Sequence, residues 1–186
     1  MRRSPAALLP LLCFLAVPAG ADSYFPNTTG LSWRYSNGEV QSAGKPRVLR
    51  GVSVIPVGHS VYGKLVSEDY LEYTAAGVFL RGVQSGGRLN WYSPPLQVYP
   101  AAPLVPGQVW TSVTSGGLKL SGRVVGTQAL RTQSGSYNAF VVRSEVTAGG
   151  TGPGVQASST QYAYFVPGLG VVRYQTADGS TVDLLK

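Results

Sequence analysis

Sulfur and imidazole chemistry are almost missing from this chain. Of 186 residues, Cys13 is the only cysteine and His59 the only histidine. Cys13 falls in an N-terminal segment that reads as removable, so the remaining chain has no thiol to form a disulfide or bind a metal. A single imidazole without thiols reaches the usual zinc ligand number only if distant carboxylates join it. Acidic residues are also few. Apart from Asp22, carboxylate pairs for glycoside hydrolysis could come only from Glu39, Glu68, Asp69, Glu72, Glu145, Asp178 and Asp183. Glu68, Asp69 and Glu72 are the one acidic cluster, and it reads as a solvated turn. Long apolar runs are missing too: Ala6 to Val17 is the longest, and Pro10 interrupts it. It is too short for a membrane-spanning helix.

Residues 1–21 have the three parts of a cleavable secretory signal: basic Arg2 and Arg3, the apolar run, and small residues at Ala19-Gly20-Ala21. Leu12 stands where a lipoprotein signal carries a small residue, and Phe14 to Val17 continue the apolar run. Cys13 is therefore expected to leave with the signal. The expected mature chain, 22–186, is a single domain of 165 residues, exported to the periplasm or beyond the cell. It is stabilised by burial alone and carries no further transmembrane helix. Removing Arg2 and Arg3 leaves 13 basic and 8 acidic residues, a net charge of +5. The basic residues stand singly, as on a solvated surface. The net charge allows a second reading, an electrostatic binder of anionic polymers such as nucleic acid, acidic polysaccharide or envelope phosphates.

What is abundant is β-branched and aromatic residues, 24 glycines and 13 prolines. Leu31, Trp33 and Tyr35 alternate with polar residues, and Asn37-Gly38 follows as a hairpin turn. A valine-rich run from Arg47 to Ile55 stops at Pro56. Further short runs cover 61–66, 70–74, 78–83, 88–92, 108–114 and 118–125. Beyond Gly126 come 129–133, 139–147, 161–166, 171–175 and 181–185. In the run 118–125, Leu118, Leu120, Gly122 and Val124 share one face. Ala148 to Ala157 reads as a flexible glycine-rich loop. The pattern predicts an all-β fold: a strongly curved antiparallel meander of ten to thirteen short strands without a major helix, closed as a half-barrel, barrel or sandwich. With no helix to cover the sheet, it must fold over on itself.

Five prolines crowd the stretch from Trp91 to Trp110. Proline cannot donate to a ladder, so 93–107 is expected to lie outside the sheet or at its edge, as a crossover between strand sets 31–92 and 108–185. Gly30-Leu31-Ser32-Trp33 and Gly107-Gln108-Val109-Trp110 each open one set. They are either equivalent sites of a duplicated meander or a chance match. Trp33, Tyr35, Trp110 and Phe140 are the expected structural core.

The opening Tyr24-Phe25-Pro26, the Gly-x-x-Trp-x-Tyr of Gly30 to Tyr35, the central Pro103-Leu104-Val105-Pro106-Gly107-Gln108-Val109-Trp110 and the closing Pro167-Gly168-Leu169-Gly170-Val171-Val172 resemble a loose group of bacterial envelope proteins. The resemblance spans nearly the whole mature chain. It implies a curved antiparallel sheet, distantly similar to that of periplasmic lipoprotein carriers, whose capping helices have no counterpart here. It implies no catalytic residue.

No serine sits in a Gly-x-Ser-x-Gly elbow, the glycine-rich segments lack the helix and lysine of phosphate cradles, and Asp178-Gly179-Ser180 fits a hairpin turn. His59, in the loop-like Val57-Gly58-His59-Ser60, is the one residue on which a hydrolase reading could rest. Tyrosine is plentiful, and it suits sheet packing as well as a groove. The expected function is non-enzymatic binding of a lipid, another apolar or amphipathic ligand, or an envelope partner, without a cofactor or metal. Trp91, Tyr92, Tyr99, Tyr162 and Tyr164 are the candidate groove.

Overall fold

The computed structural model describes residues 24–149 and 156–185. The segment 1–21 and most of the loop 148–157 lie outside the described residues. Thirteen strands follow one another: β1 (Ser32–Arg34), β2 (Glu39–Ala43), β3 (Arg47–Leu49), β4 (Val52–Val61), β5 (Lys64–Thr74), β6 (Gly77–Ser85), β7 (Arg88–Pro100), β8 (Val109–Val113), β9 (Lys119–Arg131), β10 (Ser136–Gly149), β11 (Gln156–Val166), β12 (Gly170–Thr176) and β13 (Thr181–Asp183). They form two antiparallel sheets, ordered β1-β2-β4-β5-β6-β7 and β13-β12-β11-β10-β9-β8, with β3 paired to one end of β4.

Period-two alternation decides the inner faces. Leu120, Gly122 and Val124 of β9 are buried while Lys119, Arg123 and Val125 face water. A core between the sheets gathers Phe25, Val78, Leu96, Leu104, Trp110, Val142 and Phe165. The rings of Phe25, Tyr99 and Phe165 lie 5.2–5.4 Å apart. A second cluster holds Tyr35, Leu130, Ala139, Val141, Tyr164, Val172 and Leu184. Arg173 reaches the Arg131 carbonyl at 3.5 Å, placing the end of the β9–β10 hairpin beside β12.

The sheets are stitched at both margins without closing into a barrel. Tyr35 bridges Leu184, and the Ser36 and Leu185 amides donate to Asp183 and Arg34 at 2.8 and 2.7 Å. At the other margin the Ser115 amide donates to Ser93 at 2.9 Å, and the Gln97 amide to the Ser112 hydroxyl at 2.9 Å.

The two halves repeat local detail as well as strand order. Gly30 and Gly107 adopt φ of 88° and 86°. Their amides donate to Ala43 and Val124, whose own amides donate back to Leu31 and Gln108. Trp33 and Trp110 lie on the margin strands β1 and β8. The Trp33 indole donates to the Leu169 carbonyl of the second half at 2.7 Å, and the Trp110 indole to the Gln97 carbonyl of the first at 2.9 Å. In the fourth strand of each sheet, Tyr70 and Tyr164 precede a bulge. Their hydroxyls donate to Gln84 and Gln175 at 2.6 and 2.8 Å. These matches place the two Gly-x-x-Trp segments in corresponding positions of two six-stranded meanders.

Several boundaries differ from expectation: the runs 61–66 and 70–74 become one strand, β5, after a turn at Tyr62-Gly63, 118–125 and 129–133 join as β9, and β10 and β11 extend into the ends of the expected loop 148–157. Arg47 to Ile55 is two strands: Arg50-Gly51, with φ of 51° and 80°, turns the chain between β3 and β4. The strand β4 then passes through Pro56, whose carbonyl accepts from the Gly44 amide. On an antiparallel strand the missing N–H would point to that same side, where β2 and β3 leave a gap, so no ladder bond is lost. Of the two places expected for the proline-rich stretch, 93–100 takes the edge of the sheet rather than leaving it at 93. The margin strand β7 continues to Pro100, and the register slip between Leu80↔Leu96 and Gly82↔Trp91 sets Tyr92 to Pro95 opposite Arg81 alone. The crossover is shortened to 101–108.

Candidate functional site

The β1–β13 margin is built from two three-residue strands joined at the Tyr35–Leu184 bridge. Where they part, a cavity of about 440 Å³ opens. Leu31, Trp33, Tyr137, Leu169, Leu184 and Leu185 supply apolar wall, and Arg34 and Ser134 supply polar groups. Several of the wall's polar atoms are engaged: the Trp33 indole donates to Leu169, the Leu185 amide to Arg34, and the Ser134 and Thr132 hydroxyls pair at 2.7 Å. Arg34 is exposed and forms no ion pair among the described residues. The site is thus a largely apolar hollow with exposed Arg34 among its lining residues, within the roughly 300–1,000 Å³ typical of ligand pockets.

His59 lies on β4 rather than in a loop, and the register of β2–β4–β5 surrounds it with acids. Its Nδ1 is 2.8 Å from Glu39 Oε1, and its Nε2 is 3.3 Å from Asp69 Oδ2, a charge contact without hydrogen-bond alignment. Gln41 donates to the same Glu39 oxygen at 3.0 Å. Burial alone would push the imidazole pKa down, but Asp69 and then Glu39 outweigh it and hold the ring at about 9. Burial likewise pushes Glu39 up, while bonds from His59 and Gln41 bring it below the usual carboxylate range. At neutral pH the ring is therefore an imidazolium with both N–H groups facing carboxylates. In that state it has no lone pair with which to accept a proton. Among the described residues no group of three His, Cys, Asp or Glu side chains is placed to hold a metal ion.

The aromatic residues expected to line one groove are not brought together. Tyr92 and Tyr99 pack against the core between the sheets, and Tyr162 and Tyr164 belong to the second cluster. Trp91 lies 5.7 Å from the Arg50 guanidinium. Of the four expected core residues, Trp110 and Phe140 pack in the first cluster and Tyr35 in the second, with Trp33 half-buried against it. The sequence reading missed Arg34, Tyr137, Leu169 and Leu184 as pocket residues. They meet only through the margin contact between chain segments some 150 residues apart. Trp33 was the one signal pointing there.

No family model matches the chain, and no curated protein matches it. Two solved structures are similar in outline. A protein from Bacteroides fragilis, described as exported and of YmcC-like fold, shares 15% identity over 87% of this chain and 96% of its own, with a TM-score of 0.43. A protein from Parabacteroides distasonis, described as a lipoprotein, shares 13% identity over 87% of this chain and 97% of its own, with a TM-score of 0.46. Likenesses of this degree carry no information on ligand, partner or reaction.

Proposed function

We propose that this is an exported, non-enzymatic β protein that holds an amphipathic ligand, a single apolar chain with an anionic end, in the margin cavity. The observation that carries the reading is the pairing of apolar walls with Arg34, exposed and without an ion pair among the described residues, in one lining. Apolar area supplies the affinity, while an oriented guanidinium selects a carboxylate or phosphate over an uncharged end. Export rests on the three-part leader at 1–21.

Calorimetric titration with dodecanoate and with dodecanol tests the reading. The protein binds both saturably and prefers the acid about fivefold, a difference of about 1 kcal/mol, as expected for an exposed ion pair. Arg34→Gln abolishes that preference but retains dodecanol binding. Absence of saturable binding by either compound overturns the proposal.

A further inference from the structure

At the end of the first sheet that carries the β4–β5 and β6–β7 turns, large apolar side chains face water. Tyr62 is 89% exposed, Leu65 59%, Val66 45% and Leu89 38%. The pair Ser67↔Ser85 sets these two hairpins side by side, so the residues beyond it share one end of the sheet, with Leu65 and Val66 on its opposite faces. A shallow cleft between the tips is lined by Leu65, Val66, Gly86 and Gly87. Lys64 and Arg88 flank the apolar groups and form no ion pair among the described residues. The one carboxylate lining the cleft, Glu68, is held by Arg47 at 2.6 Å, with the Tyr70 hydroxyl 2.8 Å away. The patch therefore shows water apolar groups and two free cations.

The backbone adds a separate observation. Tyr62 and Gly63 turn the hairpin with φ of 50° and 77°. That left-handed position suits asparagine or glycine, and an aromatic side chain there is strained. The chain nevertheless keeps a tyrosine at this turn, its ring lying beside Gly38 of the neighbouring turn with most of its surface in water.

We propose that these two tips rest on an anionic lipid surface. Tyr62, Leu65, Val66 and Leu89 enter the interfacial layer, and Lys64 and Arg88 face phosphate headgroups. Shallow relief, a tyrosine at the tip and flanking cations suit a fluid, negatively charged interface. The inference does not depend on the margin cavity, which is lined by other residues.

Flotation of the purified protein with vesicles of phosphatidylcholine alone, or mixed with phosphatidylglycerol, tests it. The expected result is at least tenfold tighter binding to the anionic vesicles, reversed by high salt. The double variant Lys64→Gln/Arg88→Gln loses that preference. Tyr62→Asn/Leu89→Ser weakens binding at least fivefold, while Tyr62→Asn alone leaves the melting temperature unchanged or higher because the turn is relieved. Failure to bind either vesicle, or equal binding by wild type and tip variants, overturns the proposal. Binding that is lost in Arg34→Gln but kept in the tip variants assigns it to the cavity and also overturns the proposal.

Discussion

His59 is more informative as a charged residue than as a catalytic one. Its folded pKa, about 9, is raised above the ordinary value of 6.5, so protonation favours the folded state. The contribution is fully present below about pH 6.5 and disappears as pH rises through about 9. Urea unfolding of the wild type should therefore show stability falling by about 2–3 kcal/mol across that window. His59→Gln should flatten the curve and lose most of that stability already at pH 6.5, because Glu39 and Asp69 would then face each other without a cation. None of this was legible from His59-Ser60 in the sequence. The acids come from strands 20 positions before and 10 after the histidine, and only the sheet register collects them.

Among the elements, β9 shows how a glycine can be required by its partner strand. Gly122 pairs with Trp110, and a Cβ there would lie 2.1 Å from the indole ring, which is tied to Gln97 and cannot easily withdraw. Gly122→Ala should cost about 2–3 kcal/mol in urea unfolding. Gly126→Ala, four positions along the same strand with nothing within 4 Å, should change stability far less. The faces of β9 were readable from the sequence because alternation is local. The division of Arg47 to Ile55 was not, since Arg50-Gly51 lacks the asparagine that usually marks such a turn. The prolines of 93–107 allowed either an edge strand or an excursion from the sheet, and the choice was not local: Pro94, Pro95 and Pro100 stay in β7 because β7 lies at the margin, which only the assembled sheet shows.

Across the whole molecule, the two-meander organisation could be anticipated from the repeated Gly-x-x-Trp, but the seam that creates the cavity could not. It requires the first strand to meet the last. The same organisation predicts complementation. Co-expressed fragments 22–102 and 103–186, cut within the crossover, should assemble one to one, as read by co-purification and a cooperative melt. Either fragment alone should fail to give a soluble folded species. Each contributes one indole that anchors its margin strand to the other half, and each buries the other's apolar face. Those two indole bonds also bear on aggregation. A sheet margin left open offers unpaired N–H and C=O groups to any passing chain. In this molecule each sheet's exposed rims are turned toward those of the other, so a neighbouring copy finds little ladder to extend. Loosening the half-buried Trp33 would thus threaten solubility before it threatened the core.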